Sequence, residues 1–585
     1  MPLRSRPVLL ALTLLCVLPA SLRAQDPGVL VEGETARAAD AYLKRLEALG
    51  FSGAALIVDD GRTVLRKGYG VGDREAGTPI TTASVFPVGS VTKQFTAAAI
   101  LALEAEGRLS VEDPIATYFA DVPPDKQGIT LHHLLTHSSG LESDFAPTDF
   151  DPVGRERDAY ARRALDSELR FAPGTGYEYS NAGYSLLAAV VEIVTGKPYE
   201  EALRELVLLP AGMEETGYRI PEWDPARVVV GYREGERWGT ILERIEEDPG
   251  APFWQLRGNG GLHTTLGDVE RWDRALETDA VLPAAARERM FTPYVPEDPD
   301  SVSFYGYGWA IEETPRHGTL VWHNGGNGIF LAELHRWVDE GLTVFVVTTD
   351  LALPATPVAA ALEAIAFGEP HAEPPAVVEV NPAALARAAG EWRLPSGEAL
   401  TVTEADDHLA VSARGPEGTA LLFPLSDHAR ELAPDLEART RAILEGLFRG
   451  DYGPLAEAFG GAPIEEIRER EEELMADRHA RLGAPTGFEI VGLVPMPAGP
   501  GVLARIDFAR GAAWNTYVWG PEGLQGVRPT PEPPAADYRP VSESAFESFR
   551  LRGAPGPRLE LRDAGSSAPV LVIHAPEGDV EARRD

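Results

Sequence analysis

The chain has 585 residues, of which 44% are hydrophobic and 24% charged, so length and composition predict several folded domains rather than a disordered chain. Its 90 acidic residues exceed its 53 basic ones and give a formal net charge of −37. Because such a surface repels phosphate backbones and anionic lipid headgroups, we expect no nucleic-acid partner and no binding to a membrane surface.

The first 24 residues have the pattern of a secretory signal peptide. Arg4 and Arg6 form a positive region, the apolar run Val8–Val17 follows, and small residues end at Ala24. Since the run is too short to span a bilayer, we predict a periplasmic or extracellular protein without stable membrane insertion. Cleavage would remove Cys16, the only cysteine, so the mature chain would have no disulfide, thiolate nucleophile or cysteine-bound metal.

Residues 30–367 are predicted to form one domain. A hairpin comes first, with Gly53–Val58 and Thr63–Gly70 on either side of an Asp-Gly turn. The predicted helices and later strands are Ser90–Glu104, Gly183–Val194, Phe304–Ile311, Thr319–Trp322, Phe330–Trp337 and Leu342–Thr348. Strands at both ends with helices between them predict an antiparallel sheet flanked by helices, plus an all-helical lobe.

The C-terminal half is predicted to be rich in β-strands. Residues 368–382 are rich in proline and acidic residues and are predicted to be a linker. Short strand patterns occupy residues 383–434 and 538–578, and residues 435–537 read as helices followed by strands. The predicted fold class is therefore α/β (α+β), followed by β-rich C-terminal domains.

Ser90-Val91-Thr92-Lys93 is the strongest chemical signal in the chain. A serine hydroxyl is a weak nucleophile that needs a neighbouring base, and lysine can act as that base when burial lowers its pKa, whereas arginine cannot. Ser90 would begin a helix, and Lys93 would face the same way one turn later. The alternative is an N-cap serine and a surface lysine, but only one of the five lysines follows a serine at this spacing.

Tyr179-Ser180-Asn181 is the second signal, because it is the only Tyr-x-Asn in the chain. A loop tyrosine can carry a proton between a serine and a leaving group, and the asparagine can hydrogen-bond an acyl carbonyl. The alternative is an aromatic side chain packed at the start of the following helix.

His323-Asn324-Gly325-Gly326 is the third signal and follows a predicted strand. Its glycines allow a substrate backbone to approach closely, and a backbone N–H there can form half of an oxyanion hole. The alternative is a simple turn at the end of the strand. No lysine occurs after Lys197, so a Lys-Thr-Gly version of this motif is impossible.

In this order the three motifs resemble those of the class C β-lactamase and D-alanyl-D-alanine carboxypeptidase family of serine hydrolases, which has the penicillin-binding fold and includes esterases and D-aminopeptidases. The resemblance covers about residues 35–367. Leu134–Leu141, which contains His137, and Gly258–Leu262 also look family-like, and we interpret both segments as architectural loops.

The resemblance assigns roles to the motif residues. Ser90 would attack a carbonyl, Lys93 and Tyr179 would manage its proton, and Asn181 would position the acyl group. The backbone N–H groups of Ser90 and Gly326 would hold the oxyanion. The resemblance implies no metal and no cofactor.

Two substrate-binding positions carry particular expectations. Gly325 lies in the glycine pair that lets the substrate approach. His323 stands where β-lactamases of the family usually have a lysine that meets the substrate carboxylate, and a histidine is only partly charged near neutrality. We therefore expect β-lactams to be poor substrates.

The C-terminal half resembles appended modules more loosely. Residues 383–434 with 538–578 resemble a lipocalin-like β-barrel, and residues 435–537 resemble an inserted helix-and-sheet cone of the cystatin or nuclear-transport-factor type.

The expected function is that of a secreted serine hydrolase that acts through an acyl-enzyme on small ester, amide or peptide substrates, including D-amino-acid derivatives. One alternative is a true β-lactamase or DD-carboxypeptidase. The other is a non-catalytic sensor or binding protein on the same fold. The sequence leaves the oligomeric state open.

Overall fold

The computed structural model describes residues 26–144, 156–246 except 234, 254–298 and 302–584, the last with gaps at 462, 497–498, 521–522, 552–555 and 564–567. The predicted signal peptide, residues 1–24, lies outside the described residues. Within these ranges no helix combines the length and the apolar character that crossing a membrane requires.

A nine-stranded antiparallel sheet organises the N-terminal domain. Its strands, in spatial order, are Leu30–Val31, Arg62–Tyr69, Gly53–Asp59, Leu342–Thr348, Leu331–Trp337, Gly318–Gly326, Ala310–Thr314, Ser303–Tyr305 and Val295–Pro296. The early strand Gly53–Asp59 pairs along its whole length with the late strand Leu342–Thr348. The predicted antiparallel sheet built from both ends of the domain is therefore confirmed.

The helices lie on both faces of this sheet. They are Gly33–Glu47, Thr92–Ala105, Leu131–Leu135, Arg157–Asp166, Asn181–Thr195, Tyr199–Leu203 with its π-helical continuation Arg204–Leu208, Ile241–Glu246, Leu266–Ala275, Ala284–Met290 and Ala355–Phe367. The first and last pack on one face, where Leu43 and Val358 meet Ile57. Leu56, the next side chain along the same strand, points to the opposite face and packs in the cluster that contains the Thr92–Ala105 helix.

Two predicted strands have different bounds in the structure. The predicted strand Phe304–Ile311 is two strands, because the chain reverses between Tyr305 and Ala310 and the two segments pair with each other. Gly308 in this turn has a φ of 80° and lies against the backbone of the Thr92–Ala105 helix. The predicted strand Thr319–Trp322 extends to Gly326, so the third motif lies inside a strand rather than after it.

Three short hairpins complete the N-terminal domain. They pair Val71–Asp73 with Thr78–Pro79, Phe86–Pro87 with His263–Thr264, and Gly231–Arg233 with Glu236–Gly239. The second of these hairpins pairs Pro87, three residues before Ser90, with His263 at the end of the loop that begins at Gly258.

The C-terminal half contains a closed eight-stranded barrel, preceded by the helix Pro382–Ala388. Its strands are Gly390–Arg393, Ala399–Glu404, Leu409–Ala413, Ala535–Pro540, Ala545–Glu547, Arg558–Arg562, Val570–Ala575 and Gly578–Arg584. The first strand pairs with the last, which closes the barrel at Trp392 and Arg584. The interior is filled by apolar side chains, among them Trp392 and Phe546.

Residues 416–530 are inserted between the third and fourth barrel strands. They form the helices Pro416–Leu422, Asp427–Phe448, Gly453–Ala458 and Ile464–Leu482, and a four-stranded sheet of Pro485–Met496, Gly499–Phe508, Gly511–Gly520 and Gly523–Thr530. The last strand was not predicted, because it ends in a proline-rich stretch. Pro529 is tolerated there since this strand is an edge of the sheet.

The two halves of the chain touch each other. Phe549 and Leu551, which follow the fifth barrel strand, pack against the apolar cluster around the Ala355–Phe367 helix. Arg45 in the first helix donates a hydrogen bond to the Pro374 carbonyl at 3.2 Å and pairs with Glu373 at 3.1 Å. The C-terminal half contains the eight-stranded barrel and the four-stranded sheet. The predicted fold class, α/β (α+β) with β-rich C-terminal domains, is therefore confirmed.

Candidate active site

Ser90 lies where a tight turn becomes a helix. Residues Gly89–Val91 form one 3-10 turn, and the helix Thr92–Ala105 continues from it. Every side chain from Thr92 to Leu103 is buried, so this helix runs through the middle of the domain. Ser90 is thereby held at the helix N-terminus, where the backbone dipole favours negative charge on a reacting group.

Lys93 lies one helical turn after Ser90 and is fully buried, with 0% exposure. Its Nζ donates hydrogen bonds to Ser90 Oγ at 3.0 Å, Asn181 Oδ1 at 2.7 Å and the Asn259 carbonyl oxygen at 2.9 Å. These contacts aim the amine at the serine hydroxyl. The surface-lysine alternative does not describe this residue.

Asn181 is the first residue of the helix Asn181–Thr195, which Ser180 caps by accepting a hydrogen bond from Gly183 N at 3.1 Å. Its amide connects two charged groups. Oδ1 accepts from Lys93, and Nδ2 lies 3.1 Å from both carboxylate oxygens of Asp144. Asp144 is exposed and lies on the outer side of this amide.

Tyr179 is half-buried against Lys93, whose Nζ lies 4.6 Å from the centre of the phenol ring. Burial raises the pKa of the Tyr179 phenol well above its usual value, while a hydrogen bond with Ser90 acts in the opposite direction. The phenol is therefore protonated near neutral pH and shares a hydrogen bond with the serine hydroxyl.

His137 supports Tyr179. Its ring centre lies 4.3 Å from that of Tyr179 and 4.5 Å from that of Tyr305. His137 Nδ1 accepts a hydrogen bond from the Ser180 backbone N–H at 3.0 Å. Burial, followed by the charge of Lys93, holds the pKa of His137 well below its ordinary value, so the ring is neutral and fixes the Tyr179–Asn181 segment.

His323 is only 3% exposed, and both of its ring nitrogens have partners. Nε2 lies 2.8 Å from Tyr305 Oη, and Nδ1 lies 2.5 Å from the Asn324 carbonyl oxygen. Burial and the nearby charge of Lys93 lower the pKa of His323 to about 3. The structure therefore places His323 within the aromatic cluster behind Tyr179, not on the substrate surface where the sequence-based expectation put it.

The two glycines of the third motif lie directly against the turn that carries Ser90. A Cβ atom on Gly325 would lie 1.9 Å from the Val88 carbonyl oxygen and 2.8 Å from the Ser90 backbone nitrogen. Gly89 has a φ of 51°, and a Cβ atom there would lie 2.4 Å from Gly326 N. The backbone nitrogens of Ser90 and Gly326 are thus close together, as an oxyanion hole requires.

A small cavity of about 40 Å³ opens above Ser90. The described residues that line it are all uncharged: Pro87, Gly89, Ser90, Asn181, Ile241, Leu256, Asn259, Gly260, Gly261, Gly326, Asn327 and Phe330. The arrangement combines a serine hydroxyl, a buried amine, a protonated phenol and paired backbone donors, which is the set that acyl transfer needs.

Sequence reasoning missed several residues of this site. Asn259 was interpreted as part of an architectural loop, yet its carbonyl is the third partner of Lys93. The glycines around it were the available signal, because they let the loop backbone approach the site. Ile241 and Phe330, which line the cavity, and Asp144, which contacts Asn181, carry no motif, and only the fold brings them to the site.

Comparisons with known proteins agree with this geometry. The Beta-lactamase family model matches residues 38–367. The chain is 28% identical to penicillin-binding protein 4* of Bacillus subtilis over 64% of this chain and 87% of that protein. It is 30% identical to the esterase EstB of Burkholderia gladioli over 50% of this chain and 84% of that protein.

One solved structure is similar over nearly the whole length. It is the octameric penicillin-binding protein homologue from Pyrococcus abyssi. The superposition covers 93% of this chain and 99% of that protein's chain, with 18% sequence identity and a TM-score of 0.52. At this identity the similarity supports the fold alone. The family match covers more than half of the chain and includes all three motifs, from Ser90 to Gly326. The chain therefore belongs to the Beta-lactamase family of serine hydrolases, as the sequence predicted.

Proposed function

We propose that this protein hydrolyses small esters or amides, including D-amino-acid derivatives, through an acyl-enzyme on Ser90. The observation that carries this proposal is the hydrogen bond of 3.0 Å between the buried Lys93 amine and Ser90 Oγ. In the first step Ser90 Oγ attacks the substrate carbonyl, and its proton passes to the neutral form of the Lys93 amine, either directly or through the Tyr179 phenol, which takes the serine proton as it gives its own to Lys93. The backbone N–H groups of Ser90 and Gly326 stabilise the oxyanion.

The second half of the reaction reverses these roles. When the tetrahedral intermediate collapses, the bond to the leaving group breaks, and the leaving alcohol or amine takes the proton from Tyr179 or Lys93. A water molecule then attacks the acyl-enzyme and gives its proton to the same groups. The free acid leaves, and the Ser90 hydroxyl is restored.

The substrate class follows from the charges near the cavity. A β-lactam or a C-terminal D-alanine peptide carries a carboxylate, and a fixed cation would be its natural anchor. His323 is buried with a pKa of about 3, and the described cavity lining contains no cationic side chain. These features favour esters and amides that lack a carboxylate, D-amino-acid derivatives included, over penicillins and cephalosporins.

Covalent labelling tests the nucleophile. Intact-mass analysis after treatment with a fluorophosphonate probe is expected to show one adduct, and peptide mapping is expected to place it on Ser90. A Ser90→Ala protein should fold normally and lose the adduct. An adduct that persists in Ser90→Ala would overturn the assignment.

Substrate profiling tests the class. We expect kcat/KM to be higher for a short-chain aryl ester and for a D-alanine amide than for a chromogenic cephalosporin. Efficient cephalosporin hydrolysis with poor ester turnover would instead identify a β-lactamase. A folded protein that neither takes the label nor turns over any panel member would identify a non-catalytic binding protein.

We also propose that the protein is exported, on the basis of the charged, apolar and small-residue pattern of residues 1–24. Edman sequencing of the protein recovered from periplasmic or extracellular fractions should begin at Gln25. Recovery of the full-length chain from the cytoplasm alone would contradict export.

A further inference from the structure

The C-terminal half contains three buried polar atoms that lack a hydrogen-bond partner. They are Tyr538 Oη, Ser548 Oγ and Arg550 Nη1, and none of them bonds to any residue that the structure describes. Tyr538 is 0% exposed on the barrel strand Ala535–Pro540, and Ser548 is buried just after the next strand. A buried polar group without a partner costs free energy, so such atoms mark places where a water molecule or an ion binds.

The two hydroxyls and the guanidinium lie close together. A Cβ atom on Gly556 would lie 2.1 Å from Ser548 Oγ and 3.3 Å from Tyr538 Oη, so both hydroxyls border one small space that a side chain at position 556 would fill. Burial raises the pKa of the Tyr538 phenol, and the charge of the nearby Arg550 opposes this rise. Arg550 comes two residues after Ser548 in the chain, which brings its side chain to the same place.

Arg550 is a cation without a counter-ion. Among the described residues no carboxylate pairs with it, and burial lowers the pKa of its guanidinium. Its Nη2 donates to the Leu422 carbonyl oxygen at 2.8 Å, and its Cζ lies 4.9 Å from the centre of the Phe423 ring. These contacts fix the guanidinium and leave Nη1 unpaired. A buried charge is costly unless a group of opposite sign compensates it.

The chemistry of the three groups points to a negative ligand. Arg550 has only donors, and a protonated tyrosine or serine hydroxyl can donate one hydrogen bond. The raised pKa of Tyr538 keeps its phenol protonated near neutral pH. A water molecule would satisfy the hydroxyls but would leave the charge of Arg550 uncompensated, whereas an anion can accept from all three groups. Because the three atoms are enclosed and the chain at Gly556 lies against them, the anion has to be small.

We propose that Tyr538, Ser548 and Arg550 bind a small monovalent anion of about the size of chloride. The site is separate from the active site and does not depend on the proposed hydrolase function. It lies where the two halves of the chain meet, because Phe549 and Leu551 alternate with these residues and pack on the apolar cluster of the N-terminal domain. The bound anion therefore holds the joining segment in place and stabilises the C-terminal half.

Unfolding in two salts tests this proposal on the full-length chain. Urea unfolding, followed by far-ultraviolet circular dichroism, is compared in sodium chloride and in sodium methanesulfonate at one pH and one ionic strength, since methanesulfonate is a larger anion. We expect a higher midpoint in chloride that rises with chloride concentration, as mass action requires for a ligand that binds only the folded chain. Equal midpoints in the two salts would show that water fills the site and would overturn the proposal.

Substitutions separate the site from a general effect of salt. Arg550→Met removes the charge and keeps the apolar stem, and Arg558→Met is its control, because Arg558 is an exposed barrel arginine that pairs with Glu547. The chloride effect should disappear in Arg550→Met and persist in Arg558→Met. If Arg550→Met does not fold, Tyr538→Phe removes a single hydroxyl and should raise the chloride concentration for half of the effect roughly tenfold. A chloride effect of wild-type size in either site variant overturns the proposal.

Bromide, which resembles chloride and scatters anomalously, locates the ion. Crystals of the full-length protein grown in sodium bromide should show an anomalous peak within hydrogen-bond distance of Arg550 Nη1 and Tyr538 Oη. Peaks confined to the protein surface would mean an adventitious ion only and would overturn the site. Loss of ester hydrolysis would leave these readouts unchanged, so the anion site and the hydrolase function can fail separately.

Discussion

Lys93 is the residue on which the chemistry depends most, because its buried Nζ contacts the serine, the asparagine and a loop carbonyl at once. Lys93→Arg would replace an amine that can lose its proton by a larger head group that cannot, in a fully buried position. We expect acylation to slow roughly a hundredfold or more, as loss of a general base does. The rate of fluorophosphonate labelling and the ester kcat measure this effect.

Lys197→Arg is the matched control for that change. Lys197 is half-exposed and pairs with Glu205, so arginine can replace it at the surface. Its labelling rate should equal that of the wild type. Near-normal rates in Lys93→Arg would return Lys93 to a purely structural role.

His323 gives a prediction about pH. Its pKa is lowered to about 3, so the imidazole stays neutral from pH 8 down to pH 5. Turnover of a carboxylate-bearing substrate should therefore not rise relative to that of a neutral ester as the pH is lowered over this range. A relative rise with a midpoint near pH 6 that disappears in His323→Asn would show that a protonated His323 anchors the carboxylate.

The residues of the site differ in how far the sequence could reveal them. Ser90 and Lys93 are separated by one helical turn, so local geometry brings them together and the motif predicts their contact. Asn181 and Lys93 are 88 residues apart and meet through tertiary packing. Only the family resemblance could therefore predict that Asn181 belongs to the site. Asp144 could not be foreseen, because its neighbour Asn181 is distant in sequence and an exposed aspartate after a glycine-containing loop is an ordinary surface residue.

At the scale of elements, the strand that carries the third motif lies so close to the Ser90 turn that only glycine fits between them. Gly325→Ala would place a Cβ atom 1.9 Å from the Val88 carbonyl oxygen. We expect the strand and the turn to separate and labelling of Ser90 to fall at least tenfold, because the oxyanion donors would no longer be aligned. Circular dichroism would check that the fold is retained.

Gly128→Ala is the corresponding control, since a Cβ atom at Gly128 would meet no atom within 4 Å. Labelling should be unaffected by it. A Gly325→Ala protein that labels at the wild-type rate would contradict the close approach of the two elements.

The Leu331–Trp337 strand and the Ala355–Phe367 helix are joined by a buried charged group. His335 Nδ1 lies 2.5 Å from Glu363, and its Nε2 lies 3.1 Å from Glu333. Burial lowers the pKa of His335, but the hydrogen bonds to Glu333 and Glu363 outweigh it and raise the pKa to about 10. The histidine is therefore a cation between two carboxylates at neutral pH.

This group should make stability fall in alkali. Its contribution is fully present below the unfolded-state pKa of about 6.5, and it is lost as the pH rises through about 10, where the folded protein loses the proton. His335→Gln should lower the free energy of unfolding at pH 7 by roughly 3–5 kcal/mol, as breaking a buried ion pair does.

Urea unfolding at pH 7 and pH 10.5 measures this effect, and the difference between the two pH values should shrink in His335→Gln. His479→Gln changes an exposed histidine in the last turn of the Ile464–Leu482 helix and serves as the comparison. An unchanged pH difference in His335→Gln would contradict the assigned protonation.

Sequence patterns predicted some elements better than others. Leu342–Thr348 was predicted with its observed bounds, because a continuous run of β-branched and apolar residues is typical of a central strand. The run Phe304–Ile311 was wrongly taken as one strand. Aromatic residues alternate with glycines through the turn, so the strand pattern continues without a break. The chain reverses where Gly308 lies against a helix backbone, and this contact is not visible in the sequence.

At the scale of the whole molecule, the site belongs entirely to residues 30–367. The contacts between the two halves include Phe549 and Leu551 on one apolar cluster and the hydrogen bonds of Arg45. Glu369 also pairs with Arg316 and His317, and the His371 ring packs edge-on against Tyr42. A chain that ends at Gly368 should therefore be soluble and should keep most of its activity on small esters. Aggregation or complete inactivity, measured by size-exclusion chromatography and ester turnover, would show that the C-terminal half completes the fold.

The way the barrel closes has a consequence for how the chain is made. Its first strand, Gly390–Arg393, pairs with its last, Gly578–Arg584, and its third strand pairs with Ala535–Pro540 across the whole insert. During synthesis the N-terminal domain can fold as soon as the Ala355–Phe367 helix has emerged, but Gly390–Arg393 has to wait for the final strand. Until then its edge is unpaired, which makes the growing C-terminal half the part of the chain most exposed to misassembly.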